Sequence, residues 1–113
     1  MATSTIPHDN TTTLTTSVSI ATSGSEGRRL YASCTDKVVH IDVILYPSNN
    51  LTPNTQLGVV TLPRYLAQEI HAACITPEGG LVRLRCEVNG TIRIESTAPA
   101  SQWIAVSLVG VLT

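Results

Sequence analysis

Apolar and polar residues alternate most regularly between Leu81 and Ser96 (LVRLRCEVNGTIRIES), with a break at Asn89-Gly90. This pattern predicts a β-hairpin with one apolar face. A two-residue turn at Asn89-Gly90 is excluded, because it would set Cys86 opposite Arg93 and mix the apolar and polar faces. A loop of three residues keeps the two faces separate.

Two such loops fit the hairpin, 88–90 and 89–91. The first places Gly90 in the left-handed conformation that closes the loop, and the second places Thr91 there at a cost of about 1–2 kcal/mol. The second loop pairs opposite charges better across the strands, but this contributes only about 0.2–1 kcal/mol per pair. We therefore predict the 88–90 loop, a type I turn with a bulge at Gly90.

The rest of the chain continues as short strands separated by turn-forming residues. The segment RYLAQEIHAAC (64–74) fits both a helix and a strand; its length favours a strand over 69–75 after a short turn, and leaves 64–68 as a helical turn or an irregular one. Turns are predicted at 24–27, 35–37 and 77–80. Besides the hairpin, the predicted strands are 14–20, 30–34, 38–46, 57–62, 69–75 and 103–113.

About eight short strands without a confident helix predict an all-β fold, an antiparallel two-sheet β-sandwich of jelly-roll type. The 113 residues suffice for one core,. We expect a single domain over 14–113, preceded by a flexible or partner-docked arm over 1–13 that is polar and rich in threonine.

The last strand, WIAVSLVGVLT (103–113), is apolar on both faces. In a monomer only one face of this strand can pack in the core, and the other face would expose apolar side chains to solvent. The second apolar face therefore indicates a subunit interface. We predict a homo-oligomer, a trimer, that associates through Ile104, Val106 and Leu108. The alternation of side chains does not decide which face of the strand points inward. An interface on the opposite face, with Ala105, Ser107 and Val109, therefore remains an alternative.

Composition and charge exclude several classes of partner. Hydrophobic residues make up 42% of the chain, charged residues 13%, and the net charge is -1. Beyond Arg28-Arg29 no basic cluster stands out, so nucleic acid is not an expected partner. The start of the chain lacks a signal-like apolar run, and 104–112 is too short to cross a bilayer, so we expect synthesis in a cytoplasm and no membrane insertion.

Candidate chemistry is sparse. His40 and Asp42 share one strand face at a spacing that can ligate a metal, with His71 as a third candidate, but a half-solvated strand shows the same spacing. No nucleophile motif precedes any of the three cysteines, and no carboxylate pair stands out,. We therefore expect no catalytic residue, no metal and no cofactor, and we expect Cys34, Cys74 and Cys86 to be reduced thiols.

The segment PSNNLTPNTQ (47–56) is dense in turn formers and is interpreted as an exposed loop, the kind of segment that often carries recognition,. The candidate recognition residues are Tyr46, Asn49, Asn50 and Asn54. Trp103 is assigned to the core or to an interface.

Three segments together resemble the C-terminal β-sandwich module of bacteriophage tail-fibre and baseplate proteins: Thr61-Leu62-Pro63, the hairpin VRLRCEVNGTIRI (82–94) and the strand that begins at Trp103. YASCTDKVVHIDVILY (31–46) is similar to an earlier part of that module. The resemblance covers roughly 30–113. After Pro63 the chain departs from the pattern, because RYLAQ stands where a glycine and a second proline are usual.

This resemblance implies a non-enzymatic virion protein, commonly trimeric, that displays loops to a host surface or packs on other virion proteins. A small tail-fibre, baseplate or host-attachment module is the expected function. Two alternatives remain, a capsid-decoration or head-fibre protein and a free-standing carbohydrate-binding domain that recognises a host glycan. An N-terminal arm ordered against another virion protein would favour the structural role.

Overall fold

The computed structural model describes residues 11–22 and 28–113, with the backbone alone at Arg28. These residues form nine strands and no helix, which confirms the predicted antiparallel two-sheet β-sandwich. The predicted turn at 24–27 and most of the predicted arm lie outside the described residues. The strands are β1 (Thr11–Leu14), β2 (Thr16–Val18), β3 (Arg28–Thr35), β4 (Val38–Leu45), β5 (Gln56–Val60), β6 (Ile70–Ile75), β7 (Leu81–Cys86), β8 (Thr91–Ile94) and β9 (Ile104–Val111).

One sheet has four strands in the order β1-β3-β4-β9, and the other has five in the order β2-β5-β8-β7-β6. In the first sheet β4 is paired along its whole length with both neighbours, from Val38 opposite Val111 to Leu45 opposite Ile104 on the β9 side. Strand β9 is therefore an edge strand of the four-stranded sheet, and β6 is an edge strand of the five-stranded one.

The core lies between the sheets and is built from the alternate residues that the sequence pattern assigned to dry faces. On β4, for example, Val39, Ile41, Val43 and Leu45 are all buried, while His40 and Asp42 between them are exposed. Burying a side chain of this size contributes about 1.5–3 kcal/mol, so the alternation fixes which face of each strand turns inward. The largest fully buried side chains are Ile41, Leu45, Leu57, Leu66, Leu84, Ile92, Ile94, Ile104, Leu108, Val39, Val43 and Val60.

The 81–96 hairpin adopts the predicted register. Cys86 lies opposite Ile92, and Glu87 and Thr91 close the 88–90 loop through a hydrogen bond from Glu87 N to Thr91 O of 2.8 Å. Gly90 has a φ of +95°, as the bulge requires,. Its carbonyl accepts a hydrogen bond from Val60 N at 2.9 Å, which ties the loop to the end of β5.

The first predicted strand is wrong as a single element. It divides into β1 and β2, which belong to different sheets, because the chain crosses from one sheet to the other at Thr15. Thr61 N donates to Thr15 O at 2.8 Å, and Thr16 Oγ1 donates to Leu30 O at 2.7 Å across the sandwich. The described residues therefore contain nine strands where about eight were predicted, and 11–13 belong to β1 of the four-stranded sheet.

Residues 64–68 form bends without a helix, which settles the ambiguous segment. Leu66 is buried and forms an isolated bridge with Leu112, and Ala67 N donates to Val111 O at 2.8 Å. Strand β6 then begins at Ile70, whose side chain packs against Gly110. The predicted strand over 69–75 is confirmed within one residue.

Candidate functional site

The two faces of β9 have opposite environments. Ile104 and Leu108 are each 1% exposed and lie in the core, and Val106 packs against it. The predicted interface on Ile104, Val106 and Leu108 therefore requires correction, because these side chains already fill the space between the sheets. The set that parity left open, with Ala105, Ser107 and Val109, faces outward.

The outward face of β9 is apolar and uncharged. Val109 is 53% exposed and Val111 is 51% exposed, and both lie beside residues of β4 on the same outer face. We call this area the β9 surface, defined by Ala105, Ser107, Val109 and Val111 of β9 with Val38 and Ile44 of β4. Exposed valines that lie side by side along one strand form a continuous apolar strip, which differs from the isolated apolar residues common on any protein surface.

The backbone edge of β9 that faces away from β4 runs along the same strip. Because alternate residues of a strand direct their N–H and C=O groups to opposite sides, and Val111 O accepts from Ala67 N, the backbone of Ala105, Ser107 and Val109 also points away from β4,. No strand of the described residues pairs with this edge. Strand β6 nevertheless lies alongside this edge, with Ala67 bonded to Val111 and Ile70 packed on Gly110, so the edge is covered within the subunit,.

An open groove of about 640 Å³ crosses the same outer face. Its polar lining comes from Arg29, Tyr31 and Asp42, and its β9 side comes from Ala105 and Ser107. Ser107 Oγ donates to Asp42 Oδ1 at 2.7 Å, which holds this carboxylate across the two strands. The face is therefore apolar along β9 and mixed along β3 and β4.

The outer face of the five-stranded sheet is charged. Glu87 forms an ion pair with Arg93 at 3.1 Å and with Arg85 at 3.7 Å, which compensates the direct opposition of the two arginines on β7 and β8. His71 Nδ1 lies 2.8 Å from Glu95 Oε1. Since carboxylates accompany these arginines, this face does not form the continuous basic patch that nucleic acid requires.

The four predicted recognition residues separate into two groups. Tyr46 packs against Trp103, with ring centroids 4.9 Å apart, and Asn50 Oδ1 accepts from Ala100 N nearby. Asn49 is exposed in the same loop. Asn54 lies on the other sheet, where its side chain accepts from Arg85 Nη1 at 3.1 Å and its carbonyl accepts from Arg93 Nη1 at 3.1 Å.

Of the two environments expected for Trp103, the core and an interface, the core is wrong, because Trp103 is 42% exposed. The alternation along the strand could have predicted this exposure, because Trp103 shares a face with Ala105, Val109 and Val111. Burial of Ile104 then requires Trp103 to point outward.

The candidate metal ligands are not brought together. His40 and Asp42 lie on the outer face of the four-stranded sheet and His71 lies on the five-stranded one. Within 11–22 and 28–113, no group of three or more His, Cys, Asp or Glu side chains is arranged to hold a metal ion. No helix in that part of the chain is long and apolar enough to cross a bilayer.

Cys86 lies on the dry face of the hairpin, as predicted, and is fully buried. Burial, with smaller contributions from the negative charges of Glu87 and Glu69, raises the pKa of the Cys86 thiol to about 12. This thiol is therefore a poor nucleophile at neutral pH, because the reactive thiolate is not populated.

No protein-family model matches the chain, and no curated protein matches it with significant similarity.

Proposed function

We propose that this protein is a non-enzymatic structural module of a bacteriophage virion, of tail-fibre or baseplate type, which assembles with copies of itself through the β9 surface. The observation that carries the assembly is the apolar strip of exposed side chains on the outward face of β9. The sequence resemblance over roughly 30–113 supports the virion context. The proposed contact comprises Ala105, Ser107 and Val109, because these are the residues of β9 that face outward.

The energetic argument favours the β9 surface over the rest of the sandwich. Val109 and Val111 are about half exposed, so covering each would contribute about 1 kcal/mol, half or less of the value for a fully buried valine,. Repeated in every subunit, this contribution favours association through the β9 surface. Covering the face that carries Arg85, Arg93 and Glu87 would instead require several charges to be desolvated.

Self-association is tested by sedimentation velocity and light scattering at tens of micromolar. We expect the wild-type protein to be oligomeric and Val109→Asp to be monomeric with an unchanged melting temperature, because the new carboxylate lies on the outer face. Leu81→Asp is the matched control: Leu81 is an exposed apolar residue on β7, which β6 separates from β9, and this variant should remain oligomeric. A monomeric wild-type protein, or equal effects of the two variants, contradicts the assembly.

The virion context is tested separately by quantitative mass spectrometry of purified particles of the phage that encodes the chain. We expect the protein at a fixed copy number relative to the major capsid protein, and immunogold labelling at the tail. Its absence from purified particles refutes the virion role, whatever its oligomeric state.

A further inference from the structure

The 88–90 loop contains an asparagine that is directly followed by a glycine, Asn89-Gly90. In a flexible chain this dipeptide deamidates spontaneously, because glycine has no Cβ to shield its nitrogen or to restrict the rotation that brings this nitrogen against the asparagine side chain. Asn89 is exposed to water and Gly90 is buried. The other asparagines of the described residues are not followed by glycine, and they are Asn49, Asn50 and Asn54.

The reaction needs only the chain and water. The nitrogen of Gly90 loses its proton and attacks Asn89 Cγ, which closes a five-membered succinimide ring, and the Cγ–Nδ2 bond breaks with release of ammonia. Water then opens the ring at one of its two carbonyl groups. Opening at the side-chain carbonyl leaves an ordinary aspartate at position 89. Opening at the main-chain carbonyl leaves an isoaspartate, whose backbone runs through the former side chain and is one methylene longer.

The native loop holds Asn89 and Gly90 in a geometry that opposes ring closure. Gly90 N donates to Glu87 O at 2.9 Å and Gly90 has a φ of +95°, the features of a type I turn followed by a bulge,. The third residue of such a turn, here Asn89, has a ψ of about 0°, which turns the next nitrogen away from its Cβ. Asn89 Oδ1 also accepts from Thr91 N at 3.0 Å, which fixes the side chain. Ring closure therefore requires the backbone to rotate out of the turn.

Two hydrogen bonds from outside the hairpin resist this rotation. Leu66 N donates to Val88 O and Val60 N donates to Gly90 O, both at 2.9 Å. The proton that the Gly90 nitrogen must lose is itself engaged by Glu87 O. Because these bonds must break before the ring can close, only chains in which the loop has opened can react.

The isoaspartyl product does not fit the loop. The hairpin register depends on three residues between Glu87 and Thr91, which are joined by a hydrogen bond of 2.8 Å from Glu87 N to Thr91 O. An additional backbone methylene between them prevents Gly90 from closing the turn and accepting from Val60 N at the same time. The aspartyl product, in contrast, keeps both the chain length and the side-chain acceptor.

We propose that Asn89-Gly90 is a deamidation site that the native loop protects and that loop opening exposes. Refolding does not reverse the conversion, and the isoaspartyl chain cannot rebuild the loop. The site therefore removes opened chains from the folded population. This inference goes beyond the proposed function and does not depend on it, because it concerns the single chain whether or not that chain self-associates.

Peptide mapping follows the reaction at this one residue. Trypsin cleaves after Arg85 and Arg93, so the peptide 86–93 contains Asn89 as its only asparagine. The full-length protein is incubated at mildly alkaline pH with and without guanidinium chloride, and mass spectrometry measures the fraction of amide that has become acid. We expect conversion in the denaturant and conversion about tenfold slower or more in the folded protein, because several hydrogen bonds must break to open the loop. Equal rates, or no conversion in the denaturant, overturn the inference.

The same digest supplies a matched control peptide. Cleavage after Lys37 and Arg64 releases 38–64, which contains three asparagines that glycine does not follow. In the denaturant each of these should convert about tenfold more slowly or less than Asn89, since the following residue has a Cβ. Equal rates in the two peptides would show that Gly90 does not make the site reactive, and the inference would fail.

Leu62→Ala tests the protection by the loop. A Cβ built on Gly90 would lie 3.2 Å from Leu62 Cγ, so this side chain covers the glycine. Val106→Ala is the matched control, because Val106 is also a partly buried residue packed against the core but lies on β9 of the other sheet. With both variants folded by circular dichroism, we expect Leu62→Ala to deamidate several-fold faster than Val106→Ala. Equal rates would mean that loop opening does not control the reaction, which contradicts the proposal.

The two products are then separated by chromatography and unfolded in urea. The isoaspartyl form should have a lower urea midpoint than the aspartyl form, and Asn89→Asp should match the aspartyl form. An isoaspartyl form as stable as Asn89→Asp would refute the removal of opened chains. The oligomeric state has no part in these outcomes, so this proposal and the assembly proposal fail separately.

Discussion

Gly90 connects the backbone conformation of the hairpin to the packing of the whole five-stranded sheet. Its φ of +95° favours glycine, and a Cβ built there would collide with the carbonyl oxygen of Val60. Replacement by alanine should therefore cost about 1–2 kcal/mol for the backbone conformation. Weakening of the hydrogen bond from Val60 N to Gly90 O should add about 0.5–1.5 kcal/mol,. We expect Gly90→Ala to destabilise the fold by about 1.5–3.5 kcal/mol, the sum of the two contributions.

The matched control is Gly79→Ala. Gly79 has a similar φ of +90°, but a Cβ there would meet no atom within 4 Å. It should lose only the conformational contribution of about 1–2 kcal/mol. Urea unfolding followed by circular dichroism measures both variants, with the slope checked for two-state behaviour. Equal destabilisation of the two variants would show that the contact with Val60 has no energetic weight and would refute the reasoning.

Three further outcomes are expected. Leu108→Ala should lower the free energy of unfolding by about 2–5 kcal/mol without specific loss of oligomers, since Leu108 is 1% exposed in the core,. A variant that is monomeric but fully stable would contradict the assignment of the two faces of β9. The contribution of Cys86 to stability should be constant below the ordinary thiol pKa of 9.0 and should fall as pH rises toward about 12, because the unfolded thiol ionises first while Cys86 stays protonated in the fold,. The difference in unfolding free energy between wild type and Cys86→Val, measured by urea unfolding, should therefore change between pH 9 and 12. Glu87→Gln should destabilise the fold by about 1 kcal/mol at low salt and by less in 1 M NaCl, because Glu87 forms ion pairs with Arg85 and Arg93,. A destabilisation that does not depend on salt would show that these ion pairs are not its cause.

The hairpin shows where sequence reasoning is sufficient. Its register follows from two local requirements, a consistent dry face and a glycine at the left-handed position, and both are visible in the order of residues. The confirmed opposition of Cys86 and Ile92 needs no knowledge of the remaining strands. The buried face of β4 is also predictable from local sequence, because only one of the two faces of this strand is apolar at every position.

The first strand shows where local reasoning fails. The alternation of Leu14, Thr16, Val18 and Ile20 is compatible with one continuous strand, and nothing in the pattern marks the passage between sheets at Thr15. That passage depends on partners far along the chain, with β1 pairing with β3 and β2 pairing with β5.

For the candidate site too, some features follow from the residue order and others follow only from the tertiary structure. The sequence by itself determined that β9 is apolar on both faces and that one face would be left over, because hydrophobicity and parity are properties of the residue order. Only the tertiary structure decided which face that is, since the choice depends on how β9 pairs with β4 and on the space that Ile104 and Leu108 fill between the sheets. The meeting of Tyr46 with Trp103 was likewise decided by the fold, because residues 57 positions apart in sequence become neighbours only when β4 and β9 pair.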